Sequence, residues 1–412
     1  MLNRRVVVTG LGMVTPLGLN VADSWAAMLA GKSGVDRITR FDATDFAVQI
    51  AAEVKGFDPA VCLEPKDIKK TEVFIQYAAV AAHQALEDSG LVIDQNNAER
   101  IGVSIGSGIG GLSSIERNAI SCSEHGPRRI SPTFIPYTII NMVPGFVAIK
   151  EGCRGPNLSL VSACSTGAHN IGNAARLICY GDADMMLAGG TEMATTPLGI
   201  GGFAALRALS RRNDDPVRAS RPWDKDRDGF VLGEGAGVLL LEEYEHAKAR
   251  GARIYAELLG YGASDDAYHI TMPDPSGRGA ALAMHQALRD ADIIPSDVDY
   301  INAHATSTSA GDVTELNSIK SVFGEHSGKL LVSGTKSMTG HMLGAAGAAE
   351  AIITVLALRD QIVPPTINLL NPEEDWGVDL VPLYARRAPV KIALSNSFGF
   401  GGTNACLIFG KV

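Results

Sequence analysis

A duplicated α/β layered fold is the architecture this sequence predicts, and three observations carry it. Short apolar runs alternate with helical patterns along the whole chain. The alternation begins again past the middle, so that the second half restates the first. A strand-to-helix turn in the first half, Val161-Ser162-Ala163-Cys164-Ser165-Thr166-Gly167-Ala168-His169, is repeated with one residue inserted by Val332-Ser333-Gly334-Thr335-Lys336-Ser337-Met338-Thr339-Gly340-His341. Each copy runs on into an Ala/Gly-rich helix.

The first unit is expected over residues 1–250. Its strands are read at 5–9, 101–105, 158–162, 185–188 and 238–242. Between the first two, Val73, Ile75, Tyr77, Ala78, Val80, Ala81, Ala85 and Leu86 fall at the spacing of an amphipathic helix over 71–88. After Cys164, the apolar residues of 170–178 keep helical spacing until Tyr180-Gly181. A charged helix, 244–250, and a turn at Gly251 close the unit. The second unit, 251–412, carries expected strands at 254–261, 300–303, 330–332, 392–394 and 405–409, with helices at 278–290 and 344–358. A pseudo-twofold packing of the units would bring the Cys164 turn and the Lys336 to His341 segment together.

At 412 residues and 46% hydrophobic content the chain can bury a large core. Its net charge of -9 argues against wholesale binding of nucleic acid or anionic membrane and leaves room for a local basic patch. No apolar stretch is long and uncharged enough to span a bilayer, and Arg4-Arg5 followed by Val6-Val7-Val8 reads as a first strand, not a secretory signal. Six cysteines are scattered without a C-x-x-C pair, so neither a metal site nor a disulfide framework is expected. These features point to a cytoplasmic protein with reduced thiols.

Cys164 stands where a strand becomes a helix. There the unpaired N–H groups and the positive end of the dipole are expected to stabilise a thiolate, and later an oxyanion. His304 leaves the end of a strand in a polar loop, which is where α/β sites form. With His341 and Lys336 from the repeated turn it gives a Cys/His/His/Lys constellation. Thr306 and Thr308 alternate along the His304 loop and can face one groove, with hydroxyls for an extended amide-bearing ligand. The segment 396–404, Asn-Ser-Phe-Gly-Phe-Gly-Gly-Thr-Asn, reads as a gate or oxyanion loop. Two motifs are set aside: 102–106 as G-x-S-x-G lacks the Asp-then-His order, and 106–111 as G-x-G-x-x-G lacks the acidic residue that follows in dinucleotide folds. Glu350, in an apolar helix, reads as a buried structural carboxylate with a polar partner.

Cys164, His304, Lys336 and His341 in these contexts resemble the β-ketoacyl-acyl carrier protein synthases, the Cys-His-His condensing enzymes of the thiolase-like superfamily. The likeness runs nearly end to end. It includes Val8-Thr9-Gly10-Leu11-Gly12, Ser220-Arg221-Pro222-Trp223-Asp224, Gly229 to Gly235, Thr335 to Gly347 and Asn396 to Asn404, and is strongest to the synthase II branch of bacterial fatty-acid synthesis. The resemblance implies a thiolase-like duplicated αβαβα fold, a homodimer and no cofactor of its own, since the phosphopantetheine arm comes with the substrates. It also implies a decarboxylative condensation of an acyl group on Cys164 with malonyl-acyl carrier protein.

Carried onto this chain, His304 and His341 would stabilise the enolate, and Lys336 would orient them with Glu315 as partner. The N–H groups of Cys164 and Phe400 would form an oxyanion hole, Thr306 and Thr308 would hold the pantetheine arm, and Phe400 would gate an acyl pocket walled by Ile109 and Phe203. Lys66, Lys69, Lys70, Arg128, Arg129 and Arg207 match the family's docking positions for the acidic acyl carrier protein. The chain departs from the pattern at Ala305, where glycine is usual, and at Ser309, often proline; a negative φ is expected at Ala305. Three alternatives stay open. A non-decarboxylative thiolase would need a second cysteine near the glycine loop, a non-catalytic chain-length partner subunit would not need Cys164, and a polyketide ketosynthase shares the chemistry.

Overall fold

The computed structural model describes residues 4–412, and at its centre a pair of helices lies sealed between two sets of strands. The first half supplies β1 (Val6–Val14), β2 (Ile101–Gly106), β3 (Asn157–Leu158), β4 (Met185–Glu192) and β5 (Gly235–Glu243). The second supplies β6 (Ala256–Asp265), β7 (Tyr300–Asn302), β8 (Leu331–Ser333), β9 (Ile392–Gly399) and β10 (Thr403–Gly410). The helices that build the layers are α1 (Val73–Ser89), α2 (Met142–Glu151), α3 (Thr166–Tyr180), α4 (Arg278–Asp290), α5 (Ser309–Phe323) and α6 (Ala346–Asp360).

From the centre outward the strands run β1-β5-β4-β2-β3 in one half and β6-β10-β9-β7-β8 in the other. Both follow the same pairing sequence of two antiparallel and then two parallel contacts. The halves join where β1 pairs with β6, Val7 opposite Glu257 and Val8 opposite Ala256. Beyond that corner they face each other across α3 and α6, whose side chains share one core with Leu11 and Met13 on one side and Leu407 and Phe409 on the other. Helices α1 and α2 cover the outer face of the first set, and α4 and α5 that of the second. The result is the thiolase-like five-layer αβαβα order.

Covering both faces explains why the strands read as unbroken apolar runs. On β4, Met186 and Ala188 enter the central core while Met185 and Leu187 enter the outer one. Likewise α6 has no polar stripe, because every residue from Ala346 to Leu358 is buried. Helix α4, in an outer layer, buries only one face, including Ala283, Met284 and Ala287.

Most boundaries differ by a few residues from the sequence reading, and three of the differences have a cause visible in the contacts. Strand β1 runs on through Gly10 and Gly12, which serve a close approach and not a turn. A Cβ on Gly12 would lie 1.8 Å from the carbonyl oxygen of Ala81 in α1. Strand β3 ends at Leu158, since Asn170 takes over the backbone groups beyond it: its amide accepts from Leu160 N–H and donates to Leu160 C=O. The expected glycine loop at 396–404 is a hairpin, with Gly399 paired to Thr403 and only Phe400, Gly401 and Gly402 in the turn.

Each central helix is opened by a tight three-residue turn, Ala163–Ser165 before α3 and Leu343–Ala345 before α6. Ala163 (φ +50°) and Leu343 (φ +46°) adopt the same left-handed conformation. The counterpart of Cys164 is therefore Gly344, three residues past the His341 with which the sequence repeat ends. A Cβ on Gly167 would lie 2.7 Å from the backbone nitrogen of Ala348, and one on Gly347 would lie 3.0 Å from that of Ala168. Replacing Gly167 by alanine is expected to overpack this contact and cost about 1–3 kcal/mol, read as a lowered thermal unfolding midpoint. An unchanged midpoint would show that the two helices can move apart freely.

Candidate active site

Cys164 is buried in the turn that opens α3, and the backbone N–H groups of Cys164 itself and of Phe400 lie near enough to its sulfur to favour the thiolate. Two staples fix the second donor. Ser165 Oγ donates to the carbonyls of Ser397 and Thr403 at 3.0 and 2.8 Å, and Thr403 Oγ1 donates to Ser162 C=O at 3.0 Å. The β9–β10 hairpin is thus tied to the cysteine turn. Burial pushes the Cys164 thiol up to about 12, although Lys336 and the two N–H groups pull it down. The expected resting thiolate is corrected accordingly: desolvation outweighs the helix terminus, and the free thiol is protonated at neutral pH.

His304 and His341 meet edge to face with ring centres 5.3 Å apart. Phe230 braces His341 and Phe398 braces His304 from outside. The backbone of His341 is fixed by its N–H to Val231 C=O at 2.7 Å and by Gly233 N–H to its own carbonyl at 2.9 Å. Behind the rings lies Lys336, fully buried, with its ammonium on three acceptors: Glu350 Oε1 at 2.5 Å, His304 C=O at 2.6 Å and His304 Nδ1 at 3.3 Å. Three N–H bonds meet three acceptors. Because an ammonium can only donate, His304 Nδ1 accepts and its proton sits on Nε2. Burial, and then the Lys336 charge, hold both rings well below the usual histidine range, so both are neutral.

Glu315 is not the partner of Lys336. Its carboxylate accepts the backbone N–H groups of His304 and Ala305, each at 2.8 Å, and the Asn396 amide at 3.2 Å. Glu350 takes the ammonium instead, because α6 passes directly beside it. Farther along the loop, Asp312 accepts from Ser307 N–H and Trp223 N–H, and Arg227 donates to Thr308 and Ser309 carbonyls. Thr306 and Thr308 come side by side, Oγ1 to Oγ1 at 3.0 Å. Ala305 has φ +32°, not the expected negative value. Held between Glu315 and the tight wall at Gly334, where a Cβ would meet that of Ala305 at 2.9 Å, it carries the strain that glycine would avoid.

Cys164, His304 and His341 open onto one cavity of about 500 Å³, with Thr306 and Thr308 on its wall. Ile109, Phe203 and Phe400 give its apolar side, Phe203 and Phe400 with ring centres 6.4 Å apart. Arg207 borders the same cavity. Of the other expected docking cations, Lys66 is paired with Glu64 at 2.8 Å, and Lys69, Lys70, Arg128 and Arg129 are exposed on two further surface segments. The sequence reading missed Glu192, a carboxylate that accepts four hydrogen bonds beside the cysteine. An acidic residue at the end of an apolar strand was the signal available.

This architecture, with a cysteine at the head of one central helix and two histidines facing it from the other half, defines a thiolase-like condensing enzyme. The Beta-ketoacyl synthase N-terminal domain profile matches residues 3–247 and the C-terminal domain profile residues 255–370, so the chain belongs to the beta-ketoacyl synthase family. It is 62% identical over 409 residues to the 3-oxoacyl-[acyl-carrier-protein] synthase 2 of Coxiella burnetii, covering 99% of each chain. It is 59% identical over 414 residues to the protein of that name from Vibrio cholerae, covering all of both. Among solved structures, a beta-ketoacyl synthase from Burkholderia phymatum superposes with a TM-score of 0.92 at 36% identity, over 99% of this chain and 100% of that one. A chain of the complex between a type II polyketide acyl-carrier protein and its ketosynthase gives 0.92 at 37%, over the whole of both.

Two outcomes are expected. Ala305→Gly should relieve the left-handed strain and raise stability by about 0.5–1 kcal/mol, seen as a higher unfolding midpoint; a lower one would mean the methyl packs better than the backbone is strained. Both histidines are neutral when folded and take protons near pH 6.5 when unfolded, so the unfolded state binds more protons as pH falls through 6.5, and stability drops there. Each ring contributes a slope of up to about 1.4 kcal/mol per pH unit, and denaturant unfolding between pH 5 and 7 should show a shallower slope in His341→Asn.

Proposed function

We propose that this chain is a 3-oxoacyl-[acyl-carrier-protein] synthase II of fatty-acid elongation, joining an acyl group on Cys164 to malonyl-acyl carrier protein with release of CO2. The observation that carries the proposal is the convergence of Cys164, His304 and His341 on one cavity with Lys336 behind them. In the first step the Cys164 sulfur attacks the acyl thioester. The developing oxyanion takes the N–H groups of Cys164 and Phe400, and the thiol proton leaves on the departing pantetheine sulfur. The malonyl thioester then enters past Thr306 and Thr308. Its carbonyl oxygen accepts from the imidazoles, His304 donating through Nε2. Loss of CO2 leaves its electron pair in the enolate, which attacks the acyl carbonyl on Cys164; collapse expels the cysteine sulfur and frees 3-oxoacyl-carrier protein. Neutral imidazoles suit this step, for they donate to the enolate without protonating its carbon.

The substrate carrier is an acidic acyl carrier protein, which Arg207 at the cavity border would meet first, with Lys69, Lys70, Arg128 and Arg129 adding attraction. The working form is a homodimer closed at the edge of the sheet, where β3 is open and Leu158 and Val161 are exposed. The six free cysteines fit a reducing compartment, the cytoplasm. Fatty-acid elongation is favoured over polyketide assembly by the 62% and 59% identities to synthase 2 proteins, against 37% to the polyketide complex. Cys164 itself disfavours a non-catalytic partner subunit.

Incubation with acyl-carrier protein should add one acyl mass to Cys164, and malonyl-carrier protein should then release CO2 and 3-oxoacyl product. Cys164→Ala is expected to abolish acylation. His304→Ala and His341→Ala should keep acylation while slowing decarboxylation about a hundredfold or more. An acylated Cys164→Ala would sink the assignment.

A further inference from the structure

Glu192 ends β4 with no exposed surface, and no step of the chemistry uses it. Its carboxylate collects donors from two separate segments. Ser107 Oγ donates to Oε1 at 2.6 Å and Ile109 N–H to the same oxygen at 3.1 Å. Gly108 N–H and Gly344 N–H donate to Oε2 at 2.8 and 3.0 Å. Ser107 Oγ in turn accepts Gly110 N–H at 3.0 Å, so the whole run from 107 to 110 hangs on this one side chain. The run is also where the cavity wall is made, through Gly108 and Ile109.

The pseudo-dyad gives the position its meaning. Gly344 is the counterpart of Cys164, and the head of α6 points its N–H at Glu192 as the head of α3 points at the Cys164 sulfur. The two helices begin side by side, and Glu192 places an anion on one of them. The other keeps its donors for the substrate. Space at the junction is fully used: a Cβ on Gly344 would meet Gly108 N at 2.4 Å and Glu192 Oε2 at 2.9 Å, and one on Gly108 would meet Oε2 at 2.7 Å. A displaced carboxylate therefore moves the Gly108–Ile109 backbone, since neither glycine neighbour has slack to absorb it.

We propose that Glu192 is a positioning residue for acyl selection, holding by three hydrogen bonds the Ser107–Ile109 wall against which the acyl chain on Cys164 lies and anchoring it by a fourth to Gly344 of the other half. The inference rests on the ketosynthase reading and deepens it. A glutamine at 192 presents an amide N–H₂ where Gly108 and Gly344, or Ser107 and Ile109, now donate, so two donors lose their acceptor whichever way it turns. The wall then shifts where long chains press on it most. The malonyl side, held by the His304 loop, has no hydrogen bond to Glu192.

The test uses the full-length protein with acyl-carrier proteins bearing six-carbon and fourteen-carbon chains. For Glu192→Gln, kcat/KM for the fourteen-carbon donor is expected to fall at least tenfold, and that for the six-carbon donor threefold or less. The KM for malonyl-carrier protein should stay within twofold. Ser107→Ala removes one donor to Glu192 together with the acceptor of Gly110 N–H, leaves the other three bonds to the carboxylate, and should shift the same ratio in the same direction by a smaller factor in a protein that keeps the wild-type unfolding midpoint within a few degrees. An equal loss with both donors in Ser107→Ala, or an unchanged ratio there, would overturn the inference even if Glu192→Gln fails to fold. Wild-type protein that condenses neither donor would instead overturn the ketosynthase reading beneath it.

Discussion

Everything in this molecule is arranged around the contact between α3 and α6. Two helices can share one layer between sheets only if each is apolar all round or nearly so, and only if their backbones approach closely enough to leave no void. Gly167 and Gly347 supply the approach reciprocally, each against the first turns of the other helix. The consequence is chemical as well as mechanical. Helices that touch near their heads bring two sets of unpaired N–H groups to one place, one facing the Cys164 sulfur and one satisfied by Glu192.

The second constraint is the burial of a full positive charge. An ammonium out of water is costly unless each N–H is bonded and a counter-charge is near, and Lys336 meets both demands with Glu350, the His304 carbonyl and His304 Nδ1. Satisfying the lysine settles the histidine. The same contact that repays its desolvation chooses the tautomer of His304, aims the other ring nitrogen at the cavity, and helps hold both imidazoles neutral.

Much of this was legible in the sequence, because strands covered on both faces must be apolar throughout and the two halves repeat the same order. All ten strands of the sheet were placed from such runs, with 278–290 read as a helix to the residue. Cys164, His304 and His341, taken together from their contexts, do share one cavity. What the sequence hid depends on contacts between distant segments. The apolar helix around Glu350 marked it as a buried carboxylate in need of a polar partner, but only the packing of α6 beside Lys336 shows which partner that is. The positive φ of Ala305 goes with the bond its N–H makes to Glu315 in the helix that follows the loop, and the raised thiol of Cys164 with the burial of its surroundings. Strand β1 was cut short in the reading because a glycine that admits a neighbouring helix looks like one that makes a turn.

The absence of any polar face on α6 also bears on how the chain comes to be folded. When β5 has left the ribosome, α3 already packs on the inner faces of β4 and β5, but the side of α3 turned toward α6 and the part of those faces that α6 covers have no partner until α6 arrives. Roughly 180 residues separate the ends of the two helices, and at about 5–20 residues per second the wait is on the order of 10–40 s. The first half therefore passes through synthesis as an open sandwich, apolar on the side that later becomes the middle of the protein. The helix that closes it is also the one that brings Glu350 to the buried Lys336.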